Sequence, residues 1–286
     1  MNHELTLERR FLHGHFSRDL EAVLTIDPGD SVRFATPNAA WELDDGTLFE
    51  PRSSPEDDGH ALAGPIEVRG AREGMALLVH VDEVVPGPWG RTVTEWPHHI
   101  DWQLADGIGV ASTGHRVQLA PFLGVMGMPP VGHGVHPTIP PRPQGGNIDC
   151  KELVAGTTLY LPIPVDGALF SAGDGHAAQG DGEVSGTAIE CPSRAQLTLD
   201  LRDDVQLDYP CARIDGAWLT FGFDENLGLA AKKAVDGMVA LMGREHGLGV
   251  GDALALASVV VDLRVTQVVN WQLGVHAVLR DDAWHG

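Results

Sequence analysis

Glycine and proline punctuate most of this chain and break it into short apolar segments. Its 35 glycines and 19 prolines separate short apolar segments at the spacing of β-rich architecture. Glycine opens turns with positive φ, and proline removes the backbone donor that a helix interior needs. The segment "AVLTIDPGDSVRFAT" (22–36) reads as strand, Pro-Gly turn, strand, with Val23 and Thr25, then Val32 and Phe34, alternating around the turn. In "MALLVHVDEVV" (75–85) Met75, Leu77, Val79 and Val81 share one face, and Leu78, His80 and Asp82 the other, the period of a strand. "TTLYLPIPV" (157–165) and "AQLTLDL" (195–201) are two further strands.

The period changes near the C-terminus. "DENLGLAAKKAVDGMVALMG" (224–243) spaces Leu227, Ala231, Ala234, Val235, Met238, Leu241 and Met242 by three and four, an amphipathic helix with Asp224 as N-cap and Gly243 as stop. A second helix is expected from about Asp252, and "RVTQVVN" (264–270) returns to strand. The expected fold is therefore mainly β, sandwich- or barrel-like, with a C-terminal α+β portion: a β-rich region over 1–210 that carries the chemistry, and an α+β portion over 211–286. Two Gly/Pro-rich stretches, 86–109 and 121–149, read as long loops, the second an ordered site loop.

At 286 residues the chain can bury one large core or two moderate ones. It contains no apolar run near the roughly 18–20 residues a membrane helix needs. The charged start, "MNHELTLERRFLHGHFS", lacks the apolar core of an export signal, so a cytoplasmic protein is expected. Cys150, Cys191 and Cys211 are an odd set without CxxC spacing, which argues against a disulfide framework or a thiolate zinc knuckle. A net charge of −21 repels phosphate backbones and anionic membranes, which argues against nucleic acid and points to a neutral or cationic small molecule, or a metal ion.

The chemistry-bearing residues concentrate in "GALFSAGDGHAAQGDGEVSGTAIE" (167–190). Asp174 and His176 lie two apart, hence on one side of an extended segment, and Asp181 and Glu183 repeat the spacing after "AAQG", with Glu190 following. Carboxylates with one imidazole suit a divalent ion, and the glycines leave room for it; a solvated acidic hairpin fits the same spacing. Asp149 is a ligand or a turn former, and Asn147 a substrate-orienting amide or a turn residue. Lys151 reads as a salt-bridge partner, and His60 as a loop histidine. His98 and His99 line a pocket or pack, His80 is structural, and His133 and His136 are weaker ligand candidates. The chain has no G-x-S-x-G elbow, Walker loop, Rossmann glycine pattern or EF-hand register.

Three blocks, "HALAGPIEVRGAREGMALLVHV", "TIPPRPQGGNIDCKELVAGTTLYLPIPVDGALFSAGDGHAAQGDGEVSGTAIE" and "LASVVVDLRVTQVVNWQLGVHAVL", together resemble the acetamidase/formamidase family, in its order and over nearly the whole chain. The resemblance implies hydrolysis of the carbon–nitrogen bond in short amides on a β-rich fold, with lactams as an alternative substrate. It implies a divalent ion, zinc ahead of calcium or another, and a homodimer. His60, Asp149 and His176 are the implied metal ligands; Glu183, Asp174 and Asp181 the catalytic residues, with Glu183 the base; and Asn147 and Gly146 the substrate contacts. Departures are Gln144 where histidine is frequent, Cys150 in place of threonine and Met75 in place of aspartate. A non-catalytic β protein that binds a metal or a small ligand is the competing class. The expectation common to these readings is that segments around 60, 149 and 174–183 converge.

Overall fold

The computed structural model describes residues 1–49, 55–94 and 98–284. Its frame is two sheets, one of nine strands and one of eleven, faced against each other as in a β-sandwich. Leu77, Val79 and Val81 from the first sheet and Ile66, Leu123 and Phe170 from the second are buried in a single apolar cluster. Each such side chain contributes about 1.5–3 kcal/mol through loss of hydrated surface. The strand Ala76–Pro86 keeps the expected alternation: Leu77, Val79 and Val81 are buried, His80 is half-buried and Asp82 exposed. The nine-stranded sheet continues across residue 210, where Thr158–Pro162 pairs with Cys211–Ile214, so the C-terminal portion extends it.

The segment 22–36 does form two strands, yet they do not pair with each other. Leu24–Ile26 runs parallel to Leu62–Val68 in the eleven-stranded sheet, whereas Asp30–Thr36 joins Asn2–Leu5 and Ser193–Arg202 in the other. The Pro-Gly turn is a crossover between layers. Asp30 stabilises it, accepting from the Asp27 amide at 3.2 Å and meeting His3 Nε2 at 2.8 Å.

Of the two expected loops the first is mostly strand, and the second contains two strands, Phe122–Gly127 and Gly145–Asn147, joined by a long loop. Residues 86–109 contain Trp89–Val93, His99–Ala105 and the start of Ile108–Ala111, paired in sequence as a meander; residues 95–97 lie outside the described structure. In 121–149, Phe122–Gly127 is a strand with every residue buried. A strand covered on both faces shows no alternation, which hid it among glycines.

Helix α1 (Leu227–His246) is capped two residues later than expected. Asn226, not Asp224, accepts from the Leu229 amide, and Gly247 supplies the left-handed turn at the C-terminus. Asp224 instead accepts from the Asn226 amide and Lys233 Nζ. Gly243 remains helical. Helix α2 spans Val250–Val260, and the following strand Val261–Gln267 pairs with Leu273–Arg280 as a terminal hairpin. No helix among the described residues is long and apolar enough to cross a membrane.

Candidate active site

His176 ends the strand Phe170–His176, and the sheet register determines its surroundings. On one side Phe122 lies opposite it, and on the other Glu190 does. Directly opposed residues on an antiparallel pair project to the same face, so Glu190 reaches the imidazole. His176 Nε2 stands 3.2 Å from Glu190 Oε1, 3.3 Å from Asp174 Oδ2 and 4.0 Å from Asp149 Oδ1. Asp149 follows the short strand Gly145–Asn147; its amide and that of Ile148 both donate to the Gly124 carbonyl, at 3.2 and 3.0 Å. Glu183 comes from the loop after the strand, and its carboxylate lies within 4.8 Å of the ligand atoms of Asp149 and His176.

Two backbone features allow this crowding. A Cβ on Gly124 would meet Asp149 Oδ1 and Asp174 Oδ2 at 2.5 Å each and His176 Cε1 at 2.9 Å, so glycine forms the floor beneath three functional groups. Asp149, Asp174 and Glu183 all have positive φ, at 51°, 61° and 44°. Non-glycine residues in that region cost energy and concentrate at functional sites.

The hydrogen bonds assign the imidazole its tautomer. Gln179 Nε2 donates to the Asp149 carbonyl at 2.7 Å, which leaves Gln179 Oε1 as an acceptor for His176 Nδ1–H at 2.9 Å. Nε2 therefore faces the carboxylates, either carrying a second proton or offering a lone pair to a cation between them. Asn270, in the terminal hairpin, donates from Nδ2 to Asp149 Oδ2. Four carboxylate oxygens at this point, Asp149 Oδ1, Asp174 Oδ1, Glu183 Oε2 and Glu190 Oε2, are buried without a hydrogen-bond partner.

Such a cluster cannot carry all its negative charge uncompensated. Burial pushes the Glu183 carboxyl up to about 7, reinforced by Glu190 and Asp174 and opposed by His176. Burial likewise raises Asp149 well above its ordinary range, aided by Glu183, and raises Glu190. Burial acts in the same direction on Asp174, but the charges on His176 and His60 outweigh it and hold that carboxyl well below its usual range. Burial works against the imidazolium of His176, yet Glu190 and Asp174 prevail and raise it well above 6.5. The site demands positive charge.

A divalent cation fits that demand. Tetrahedral ligation at zinc distances places a nitrogen and an oxygen ligand roughly 3.3 Å apart, close to the 3.2 and 3.3 Å between His176 Nε2 and the oxygens of Glu190 and Asp174. The Nδ1 bond to Gln179 is the outer contact that typically orients a ligating histidine.

Asp149, Asp174, His176 and Glu183 thus converge. His60 does not join the ligand cluster, though its charge acts on Asp174; it is half-buried, its amide and Nδ1 both held by Thr138 Oγ1 at 3.0 and 2.7 Å. Asp181 does not converge: its side chain is 39% exposed and pairs with Lys151 at 2.9 Å, which gives Lys151 the expected salt bridge. Gly146 packs towards Pro140 and Phe16, and Gly127 has room only for a hydrogen against the Gly146 backbone; this contact accounts for the paired glycines. Asn147 is buried opposite Val125. His133 is exposed and held by Asp19, and His136 is half-buried with its ring at the Gly132 carbonyl. His99 lies near Asp101 at the surface, and His80 is bonded to Thr158.

The sequence reading assigned no role to Glu190, Gly124, Gln179 or Asn270. Glu190 and Gln179 belong to the same stretch as His176, which was the available signal; Gly124 and Asn270 depend on contacts over long sequence separations, as does the bond from Gln179 to Asp149. A groove of about 400 Å³ opens at the cluster, lined by Trp102, Val117, Gln179, Glu183 and Ile189 among others. A smaller cleft of about 200 Å³ between α1 and Tyr209 contains none of these groups. All three cysteines are buried, and burial raises their thiols, Cys211 to about 12, so none serves as an activated nucleophile.

Known proteins resemble this chain in fold and sequence. Over 97% of both chains the structure superimposes on an acetamidase from Bacillus halodurans with a TM-score of 0.86 and 28% identity. A protein of Schizosaccharomyces pombe named as a formamidase is 26% identical, over 62% of this chain and 60% of its own. An acetamidase of Mycolicibacterium smegmatis is 23% identical, over 66% and 65%. The matches thus span less than two thirds of these two relatives' lengths. The family model described as "Acetamidase/Formamidase family" matches residues 125–278, a stretch that holds Asp149, Asp174, His176, Glu183, Glu190 and Asn270, and the chain belongs to that family.

Proposed function

We propose that this protein hydrolyses the carbon–nitrogen bond of short, uncharged amides with one divalent cation, releasing ammonia and a carboxylate. The observation that carries the reading is His176, whose Nδ1 is committed to Gln179 while its Nε2 faces three carboxylates. Membership of the family, together with relatives named acetamidase and formamidase, supports the substrate class. His176, Asp174 and Glu190 would hold the cation, with Asp149 beside them and His60 adjacent. Imidazole among carboxylates suits zinc better than calcium, which prefers oxygen alone. When bound, the cation supplies Lewis-acid polarisation of the amide carbonyl.

The remaining work falls to the protein's own groups. Glu183 lines the groove, and with a carboxyl near 7 it is poised to accept and return a proton at neutral pH. It takes a proton from water as the water oxygen bonds to the carbonyl carbon. It then delivers that proton to the nitrogen as the C–N bond breaks, so that one water and one amide become one acid and one ammonia. Asn270 and Gln179 hold Asp149 and His176 in orientation. An acidic pocket in a chain of charge −21 favours uncharged substrates over carboxylates.

The test combines elemental analysis of purified protein with ammonia release from formamide, acetamide and a γ-lactam. Glu183→Gln should retain the metal and lose about 10²–10⁴-fold in turnover, the typical contribution of a general base. Full activity in Glu183→Gln would remove Glu183 from the role. A metal-free protein that releases ammonia at the full rate would remove the cation. Association of two copies belongs to the same proposal, supported by exposed Val250, Leu254 and Val259 on α2 and Leu263 on the neighbouring strand. Light scattering of Leu254→Asp should show monomers.

A further inference from the structure

Directly after Asp149 the chain contributes to a second cluster of ligand-type side chains. Cys150 Sγ, a Glu152 carboxylate oxygen and a His276 ring nitrogen lie within 4.8 Å of one another. Cys150 is 1% exposed and His276 0%. The Cys150 thiol donates to Glu152 Oε2 at 3.2 Å, and His276 Nε2 is 3.7 Å from the same oxygen. The other Glu152 oxygen is taken by Arg264 at 3.0 Å. Thr266 Oγ1 holds His276 Nδ1 at 2.8 Å, the outer contact that orients a ligating histidine. His276 Nε2 is buried with no hydrogen-bond partner and points towards the thiol and the carboxylate.

We infer that Cys150, Glu152 and His276 form a second cation site, for a borderline-soft divalent ion of the zinc class. At zinc distances, tetrahedral geometry separates sulfur from oxygen by roughly 3.5 Å and nitrogen from oxygen by roughly 3.3 Å. The observed 3.2 and 3.7 Å differ from these by less than half an ångström, within reach of small side-chain rotations. Thiolate with imidazole selects zinc or cobalt over magnesium and calcium. On binding, the thiol proton leaves for solvent, the sulfur bonds to the ion, and no oxidant or reductant is required. Glu152, 13% exposed at its side chain, provides the path of entry.

The ion would act as a clamp. Cys150 adjoins Asp149, and His276 lies in the terminal hairpin whose turn carries Asn270 to Asp149. A bond between the two segments ties the C-terminal hairpin to the candidate active site without entering it.

Cobalt substitution tests this directly, because a thiolate bound to Co²⁺ gives a near-ultraviolet charge-transfer band that carboxylate and imidazole ligands alone do not. The full-length protein, stripped by chelation and titrated with Co²⁺, should show the band. His176→Ala should retain it, which separates this site from the one proposed above. Cys150→Ser and His276→Gln should abolish it and lower bound zinc by one equivalent per chain, while Cys191→Ser keeps it. The absence of the band in the unsubstituted protein, or its persistence in Cys150→Ser, overturns the inference whatever the variants' stability.

Discussion

Gly124→Ala isolates the geometric demand of the site from its chemistry. The substitution adds one methyl group at a position without positive φ, so backbone strain plays no part and any effect is steric. The new Cβ would sit 2.5 Å from Asp149 Oδ1 and from Asp174 Oδ2, about 0.9 Å inside the 3.4 Å at which ordinary contact begins. Neither carboxylate can swing away freely. Asp149 Oδ2 is held by Asn270 and its amide by the Gly124 carbonyl, and Asp174 is buried against His176. The strain should appear as displacement of the two groups by nearly 1 Å. A shift of that size in a positioned catalytic group costs about 10²-fold, or about 2.7 kcal/mol of transition-state stabilisation. Overpacking adds a stability loss of about 1–3 kcal/mol. The assay is kcat/KM for ammonia release, with metal content and Tm measured on the same preparation. An alanine variant with unaltered kcat/KM and metal stoichiometry would refute the claim that Gly124 is the floor of the site.

Other consequences follow from the same geometry. Asn270→Ala removes the donor to a buried carboxylate and should cost about 1.5–3 kcal/mol of stability, read as a lower urea midpoint, together with a fall in kcat; a midpoint equal to the parent's contradicts the contact. Asp181→Asn should leave metal content and kcat within a factor of two, because its partner is a partly exposed Lys151 and such pairs contribute little; a collapse of turnover would return Asp181 to the machinery. Glu183 has its carboxyl raised from 4.5 to about 7, so the folded metal-free protein binds more protons than the unfolded chain across that window. Its stability therefore falls as pH rises from about 4.5 to 7, by an amount on the order of 3 kcal/mol from this group. The raised Asp149 and Glu190 add to the decline, the raised His176 extends it above 6.5, and the lowered Asp174 acts in the opposite direction only below 3.8, outside this window. Thermal denaturation of chelated protein should show the decline, and added Zn²⁺ should flatten it; a chelated protein that gains stability over the window contradicts the assignment.

Local pattern in the chain determined a good deal. Alternation specified strands wherever one face met the core and the other did not, as in Leu77, Val79 and Val81 against Asp82, and the three-to-four spacing specified α1. The Gly-rich acidic stretch marked where the chemistry concentrates, and the family likeness tied Asp149 to it. Tertiary structure decided what depends on partners distant in sequence. Phe122–Gly127 pairs with Gly145–Asn147 and Phe170–His176 and is buried throughout, a condition invisible to a period-two pattern. Glu190 reaches His176 because two short strands meet in a particular register. Asn270 reaches Asp149 across 121 residues, and Gly124 matters only because two carboxylates converge above it. Asp181 and Glu183 share a spacing but not an environment, since one turn of the loop leaves the first at a lysine and draws the second under the sheet. Periodicity reports how each segment meets water, whereas a site is a set of contacts between segments, and those are fixed only when the layers close.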